Sequence, residues 1–253
     1  MTFRKLQAGL SIVELLVALV ISMLLMTGVV QVFLASRQTY ASNEAASRLQ
    51  ENGRFALEFI AQSARHAGYV EAANNTLDPL PRPIATASQG TEDNPSDSIA
   101  FSFQPRLLDG ARRDCLGNTS GNGTTISNTD VIFNHFYIIN EGEESASLGC
   151  FSTITPESAS NILIEGIDAL QIQYGIGTTG SVTQYVSADR VTNWSNVLAV
   201  RIAVLANSIA QVTPPPPADR QYVLLDAAPL SFADGRARQV FTTTIKLRNT
   251  GEP

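Results

Sequence analysis

Residues Gly9–Ser36 read GLSIVELLVALVISMLLMTGVVQVFLAS, and they decide how the rest of the chain is organised. From Leu15 to Ser36 no residue is charged, and one carboxylate, Glu14, stands at the head of the run. About 22 residues at the α-helical rise make roughly 33 Å, enough to cross the hydrocarbon core of a bilayer. A plain anchor has no use for Glu14, because an unpaired charge inside hydrocarbon costs several kcal/mol and marks function. A secretory signal places its apolar stretch ahead of the cleavage site. Here the processing point, Gly9–Leu10, precedes it, so the mature chain keeps its apolar helix. The leader MTFRKLQAG carries Arg4 and Lys5, which hold the N-terminus in the cytoplasm and send residues beyond about 37 outward.

The helical pattern continues past the apolar run. Leu49, Gly53, Leu57, Ile60, Ala64 and Ala67 recur at three- and four-residue steps, with Glu44, Arg48, Glu51, Arg54, Glu58 and Arg65 mostly elsewhere. No proline falls between Leu10 and Val70, so one helix is expected from Leu10 to Ala67, on the order of 87 Å long. Gly28 and Gly53 are its expected weak points, and Gly68 its C-cap. The second half is amphipathic, so something globular must cover one stripe of it.

That cover reads as β structure. SIAFSF from Ser98, VIFNHFYII from Val131, LQIQY from Leu170, VLAVRIAVLA from Val197 and FTTTIKLR from Phe241 have strand character. The polar, glycine-bearing spacer Asp114–Asp130 and the proline run Thr213–Ala218 read as surface loops, and Asn74–Pro95 as an irregular connection from helix to sheet. The expected division is therefore a cleaved leader at 1–9, a membrane and assembly half of the helix at 10–36, an amphipathic half at 37–68 and a β-rich head at 69–253.

The chain of 253 residues carries a net charge of −6, and losing Arg4 and Lys5 with the leader takes it to −8. An acidic chain without a basic cluster argues against nucleic acid as a direct ligand. Cys115 and Cys150 face an oxidising space, where a disulfide is the default; zinc is the rival, but only His66 and His135 are available to complete a site. Closing that loop adds roughly 3–4 kcal/mol in the chain-entropy model.

Catalytic patterns are scarce. Gly175–Gly180 fits GxGxxG, yet SVTQYVS follows with strand-like alternation where a dinucleotide site needs a helix, so a glycine-rich hairpin is expected. Asp226 and Asp234 read as solvated loop charges, and Arg201 as an arginine facing water from its strand. No enzyme and no cofactor are expected; a membrane-tethered enzyme would need a constellation of catalytic side chains that the sequence does not offer. Glu14 is the residue with chemistry to perform. Cleavage would leave a new amine on Leu10, and two desolvated opposite charges on neighbouring helices favour docking in one axial register.

Gly9-Leu10-Ser11-Ile12-Val13-Glu14 resembles the class III signal of type IV prepilins, with Leu10 where that family usually has Phe. Three further blocks resemble the PilW family of minor pilins: Arg48–Leu57 leading into Arg65–Tyr69, Trp194–Ile202, and Arg236–Asn249. The resemblance implies an α+β type IV pilin fold, with the long helix packed on a mainly antiparallel sheet. It implies cleavage after Gly9 by a prepilin peptidase, N-methylation of Leu10, and pairing of Glu14 with the terminal amine of a neighbouring subunit. It further implies a protein of the inner membrane with a periplasmic head that moves into the pilus at or near its tip. There it would join other minor pilins and the major pilin, with a tip adhesin as a further candidate partner, in support of twitching motility and adhesion. The related J-type pseudopilins of type II secretion are the alternative.

Overall fold

The computed structural model describes residues 11–71, 83–90, 95–121, 124–127, 130–178 and 180–248. The leader with Gly9 and Leu10, and most of the connection Asn74–Pro95, lie outside these residues. By its contacts the chain forms two units, residues 1–44 and 45–253.

Both units share one helix, α1, which runs unbroken over Ile12–His66. Ser11 starts it: its carbonyl accepts from Glu14 and Leu15 N–H at 3.0 and 3.2 Å. In the first unit the helix is predominantly apolar on every side as far as Ser36 and polar from Arg37 to Glu44. Its few hydroxyls turn inward on the backbone, Ser22 to the Ala18 carbonyl (2.8 Å), Thr27 to Met23 (2.9 Å) and Thr39 to Ala35 (3.0 Å). The hydroxyl hydrogens of Ser22 and Thr27 are thereby kept from an apolar environment.

In the second unit the helix carries the expected stripe. Leu49, Ala56, Ile60, Ala61 and Ala64 are buried, and Ala67 just beyond the last turn joins them. Gly68 follows in the left-handed region (φ 73°) and gives its N–H to the Ser102 carbonyl at 2.8 Å, which turns the chain onto the sheet.

Thirteen strands follow among the described residues, and the antiparallel head is arranged as two main sheets. In chain order they are β1 (Ile84–Ser88), β2 (Ser98–Phe103), β3 (Ser120–Gly121), β4 (Thr124–Thr125), β5 (Ile132–Ile139), β6 (Ser147–Ser152) and β7 (Ile162–Glu165). Then come β8 (Ile167–Thr178), β9 (Ser181–Val186), β10 (Val197–Gln211), β11 (Gln221–Tyr222), β12 (Leu230–Ser231) and β13 (Arg236–Lys246). One sheet has the order β1-β2-β5-β6-β7, the other β13-β10-β8-β9, and every pairing in them is antiparallel. A single core joins the helix stripe to Phe101, Phe136 and Leu148 of the first sheet and to Ile172, Val200 and Ile202 of the second.

Several local expectations shift. The spacer Asp114–Asp130 contains the small ladder β3–β4, and the last strand begins at Arg236, five residues ahead of Phe241. Gly175 and Gly177 sit inside β8, paired with Tyr185 and Val182 of β9; the hairpin itself turns at Gly180. The run VLAVRIAVLA is apolar on both faces for a reason. Val200, Ile202 and Val204 meet the main core, while Ala203 and Leu205 are covered by Tyr222 and Leu224 from the proline-bearing loop.

Among the described residues, the first half of β8 has no strand on its outer side, and a side-chain graft stands in for one. Ser96 Oγ accepts from Leu170 N–H (3.2 Å), and Asp97 Oδ2 accepts from Ile172 N–H (2.8 Å). Asp97 N–H donates to the Leu170 carbonyl (2.8 Å), and its Oδ1 accepts from Gly90 N–H (2.7 Å). The residues that open β2 thus tie the first sheet to the second. Asp97 is 2% exposed, and burial raises its carboxyl to about 6 against the efforts of the two N–H donors.

Gly53 proves to be a contact, not a weak point: a Cβ built there would fall within the Phe241 ring. Helix propensity alone favours Gly53→Ala by about 1 kcal/mol, whereas overpacking costs about 1–3 kcal/mol. We expect a net loss for Gly53→Ala, read from the denaturation midpoint of the detergent-solubilised chain, and recovery when Phe241→Ala is added. An alanine variant more stable than wild type would show that the ring yields freely. For Asp97 the folded state holds its proton more tightly than the unfolded chain, whose carboxyl titrates near 3.8. Its contribution is full below that pH and fades as pH rises through about 6, by at most on the order of 3 kcal/mol. Asp97→Asn should flatten the fall in unfolding free energy between pH 4 and 6; parallel slopes for the two proteins would refute this.

Candidate functional site

At the start of α1, Glu14 is the single ionisable side chain between Ser11 and Ser36. It lies in the first helical turn, where the uncompensated N–H groups favour negative charge. Ser11 Oγ accepts from Val13 N–H at 3.4 Å, so Ser11-Ile12-Val13-Glu14 has the spacing of a capping box. The carboxylate borders a shallow, mainly apolar recess lined by Ser11, Val13, Val17, Ala18 and Ile21. A partner cation entering there would leave water on one side and meet aliphatic walls on the other.

From Ile12 to Leu34 every large apolar side chain is open, the least so being Val30 at 44%. A stretch of this size without cover marks contact with lipid or with other helices. The helix is long and apolar enough to cross a membrane. At the end of the run Arg37 lays its guanidinium over the Phe33 ring, 4.5 Å from its centroid, a cation placed where apolar surface gives way to polar.

In the second unit the sequence-chosen residues separate into structural roles. Cys115 and Cys150 form a disulfide, which ties the polar spacer to β6. Asp114 beside it is fully engaged: Oδ1 accepts from Leu116 and Asn118 N–H (3.0 and 2.8 Å), and Oδ2 from the Ser152 and Thr155 hydroxyls (2.8 and 2.7 Å). His66 and His135 sit on different elements, and burial lowers both; Arg106, Arg65 and Arg248 lower His66 further. Among the described residues no three His, Cys, Asp or Glu side chains come together as metal ligands.

Asp234 is not the solvated charge expected. Arg238 Nη1 and Nη2 grip its carboxylate at 2.6 and 2.6 Å, and this holds it down at about 2. Arg238 Nε donates to Asp168 (2.7 Å), Asn207 donates to the other Asp168 oxygen (2.7 Å), and Phe232 lies against the guanidinium at 3.7 Å. Burial nonetheless raises the Asp168 carboxyl. Nothing in the sequence paired these groups, because Asp168 and Arg238 are 70 positions apart. Asp226 lies 3.7 Å from Arg190. Arg201, expected to face water, covers Tyr185 at 3.8 Å and reaches Gln173, its register partner on β8, at 3.4 Å. These are fold-holding contacts, and none presents a nucleophile with a base at hand.

Comparison with known proteins adds two family matches. Residues 135–249 match the PilW model, described as type IV pilus-assembly protein W, and residues 4–30 match the prokaryotic N-terminal methylation motif. The first match runs from β5 through β13; the second spans Gly9, Leu10 and Glu14. None of the curated proteins matches the chain. Among solved structures, a type IV-like pilin from Thermus thermophilus aligns with a TM-score of 0.46 at 16% identity, over 81% of this chain and 99% of that one.

Proposed function

We propose that this chain, a member of the PilW family of type IV pilus minor pilins, joins other minor pilins to prime pilus assembly and then resides at or near the tip. The observation that carries the reading is the uncovered apolar helix with one carboxylate in its first turn. Before assembly that helix anchors the chain in the inner membrane, with the head in the periplasm. During assembly its apolar surface passes from lipid to neighbouring helices, so extraction never exposes it to water.

Prepilin peptidase cuts after Gly9, Leu10 is methylated, and the new amine of one subunit meets Glu14 of the next. Each charge relieves the desolvation of the other, and only one axial offset brings them together. The head selects which minor pilins and which tip components it meets, and twitching motility and adhesion follow from the finished fibre. The Cys115–Cys150 bridge suits a head that works outside the cytoplasm.

The test is the amount of major pilin sheared from a clean deletion strain. A sharp loss is expected, restored by the wild-type chain and not by Glu14→Ala, which should still fold and be cleaved. Normal pili in the deletion strain, together with a protein-secretion defect, would instead point to a J-type pseudopilin. A bulky residue at Gly9 should leave uncut precursor in the membrane, visible as a heavier band on a blot; a fully processed product would sink the leader assignment.

A further inference from the structure

A loop in the second unit is built as a rigid hook. Leu108 and Ala111 exchange both backbone hydrogen bonds, at 2.9 and 2.9 Å, across Asp109 and Gly110, which both take positive φ (50° and 76°). That is the geometry of a tight two-residue hairpin turn. At its base, Arg112 is 4% exposed, donates to the Pro105 carbonyl, and pairs with Glu71 at 2.8 Å. Asp114 and the Cys115–Cys150 bridge pin the far side. So firm a base carries Leu107 and Leu108 on the arm leading into its tip, 54% and 59% exposed.

Behind the hook lies an open groove of about 980 Å³, with Phe59 of α1 and Ile162 of β7 among its apolar walls. Arg65, Arg106 and Arg113 stand along it. Its carboxylates are already spent: Glu58 on Arg65 at 2.7 Å, and Asp114 on its four donors. Arg113 gives one N–H to the Gly117 carbonyl (2.9 Å), and among the described residues no carboxylate pairs with Arg113 or Arg106. A cationic lip of this kind runs against a chain whose net charge is −6.

We propose that this hook and groove form the surface on which the head docks a different pilin-type head, through a segment bearing carboxylates beside aliphatic or aromatic side chains. The proposal rests on the pilin reading above. Charge complementarity selects the occupant: carboxylates satisfy Arg106 and Arg113, while apolar neighbours cover Leu107, Leu108, Phe59 and Ile162. A second copy is disfavoured, since an isologous contact would set arginine against arginine. A bilayer is disfavoured because the surface is concave. Exposed leucines on a preorganised turn lose little entropy on binding, which is how a small anchor dominates an interface.

The test places p-benzoylphenylalanine at position 108 of the full chain in its own cells, irradiates, and identifies the adduct by mass spectrometry. An adduct to a carboxylate-bearing peptide of another pilin-type subunit is expected. Its yield should fall at least about fivefold with Arg106→Glu and Arg113→Glu together, and hold with Arg106→Lys and Arg113→Lys. An adduct to a second copy, to lipid or to an unrelated protein would overturn the proposal. So would a yield no higher than with the probe at Val223, 53% exposed on another loop. Disulfide formation and thermal melting check that the glutamate pair folds; should it not, the adduct's identity and the lysine pair still decide. If the deletion strain loses its pili while the docking variants assemble them and give no adduct, this surface fails and the assembly role stands. If the deletion strain keeps its pili, the assembly role fails, and an adduct to another pilin-type head still supports the surface.

Discussion

Along α1 the chemistry of the surface changes while the backbone does not. From Ile12 to Leu34 the large apolar side chains are exposed on every side among the described residues; from Ala45 onward the helix is apolar on one stripe, and that stripe is buried. An all-round apolar helix is stable only in lipid or among other helices, whereas a one-stripe helix suits a folded head. The stripe is made largely of small residues: Ala45, Gly53, Ala56, Ala61 and Ala64. Small side chains let strands approach closely, as the Phe241 ring over Gly53 illustrates. Both sheets of the head converge on this stripe, so its composition governs how they pack.

The head then faces a second constraint, the edges that two sheets leave open. Among the described residues the outer side of β8 has no strand along its first half, and Ser96 and Asp97 supply acceptors there. A carboxylate does this at the cost of its own desolvation, which is why its proton is held more tightly than in the unfolded chain. Arg238, Asp168, Asp234 and Asn207 hold the start of the same strand to β10 and β13 in a closed network. Buried ion pairs return little net stability over apolar packing, yet breaking one is expensive, so they fix the register of long strands more than they strengthen them.

The family matches divide the molecule along similar lines. Residues 4–30 and 135–249 carry the shared features, the membrane helix and most strands of the two sheets. The hook at Leu107–Ala111 lies outside both matched segments.

The sequence by itself determined the long helix, its two surface chemistries, Glu14 at its head, the β-rich remainder and the pairing of the two cysteines. Each rests on a local pattern, such as a charge-free run, a period of 3.6 or an alternation, or on composition and compartment. The tertiary structure decided what local pattern does not encode. It split the strands into two sheets, turned Gly53 from a flexible point into a packing contact, and drew Asp234 out of solvent onto Arg238. It buried one face of β10 in the main core and the other beneath Tyr222 and Leu224, and lifted two leucines into solvent beside Arg106 and Arg113. Those outcomes depend on residues tens of positions apart meeting across a core, and a one-dimensional pattern holds no record of which long-range pair will meet.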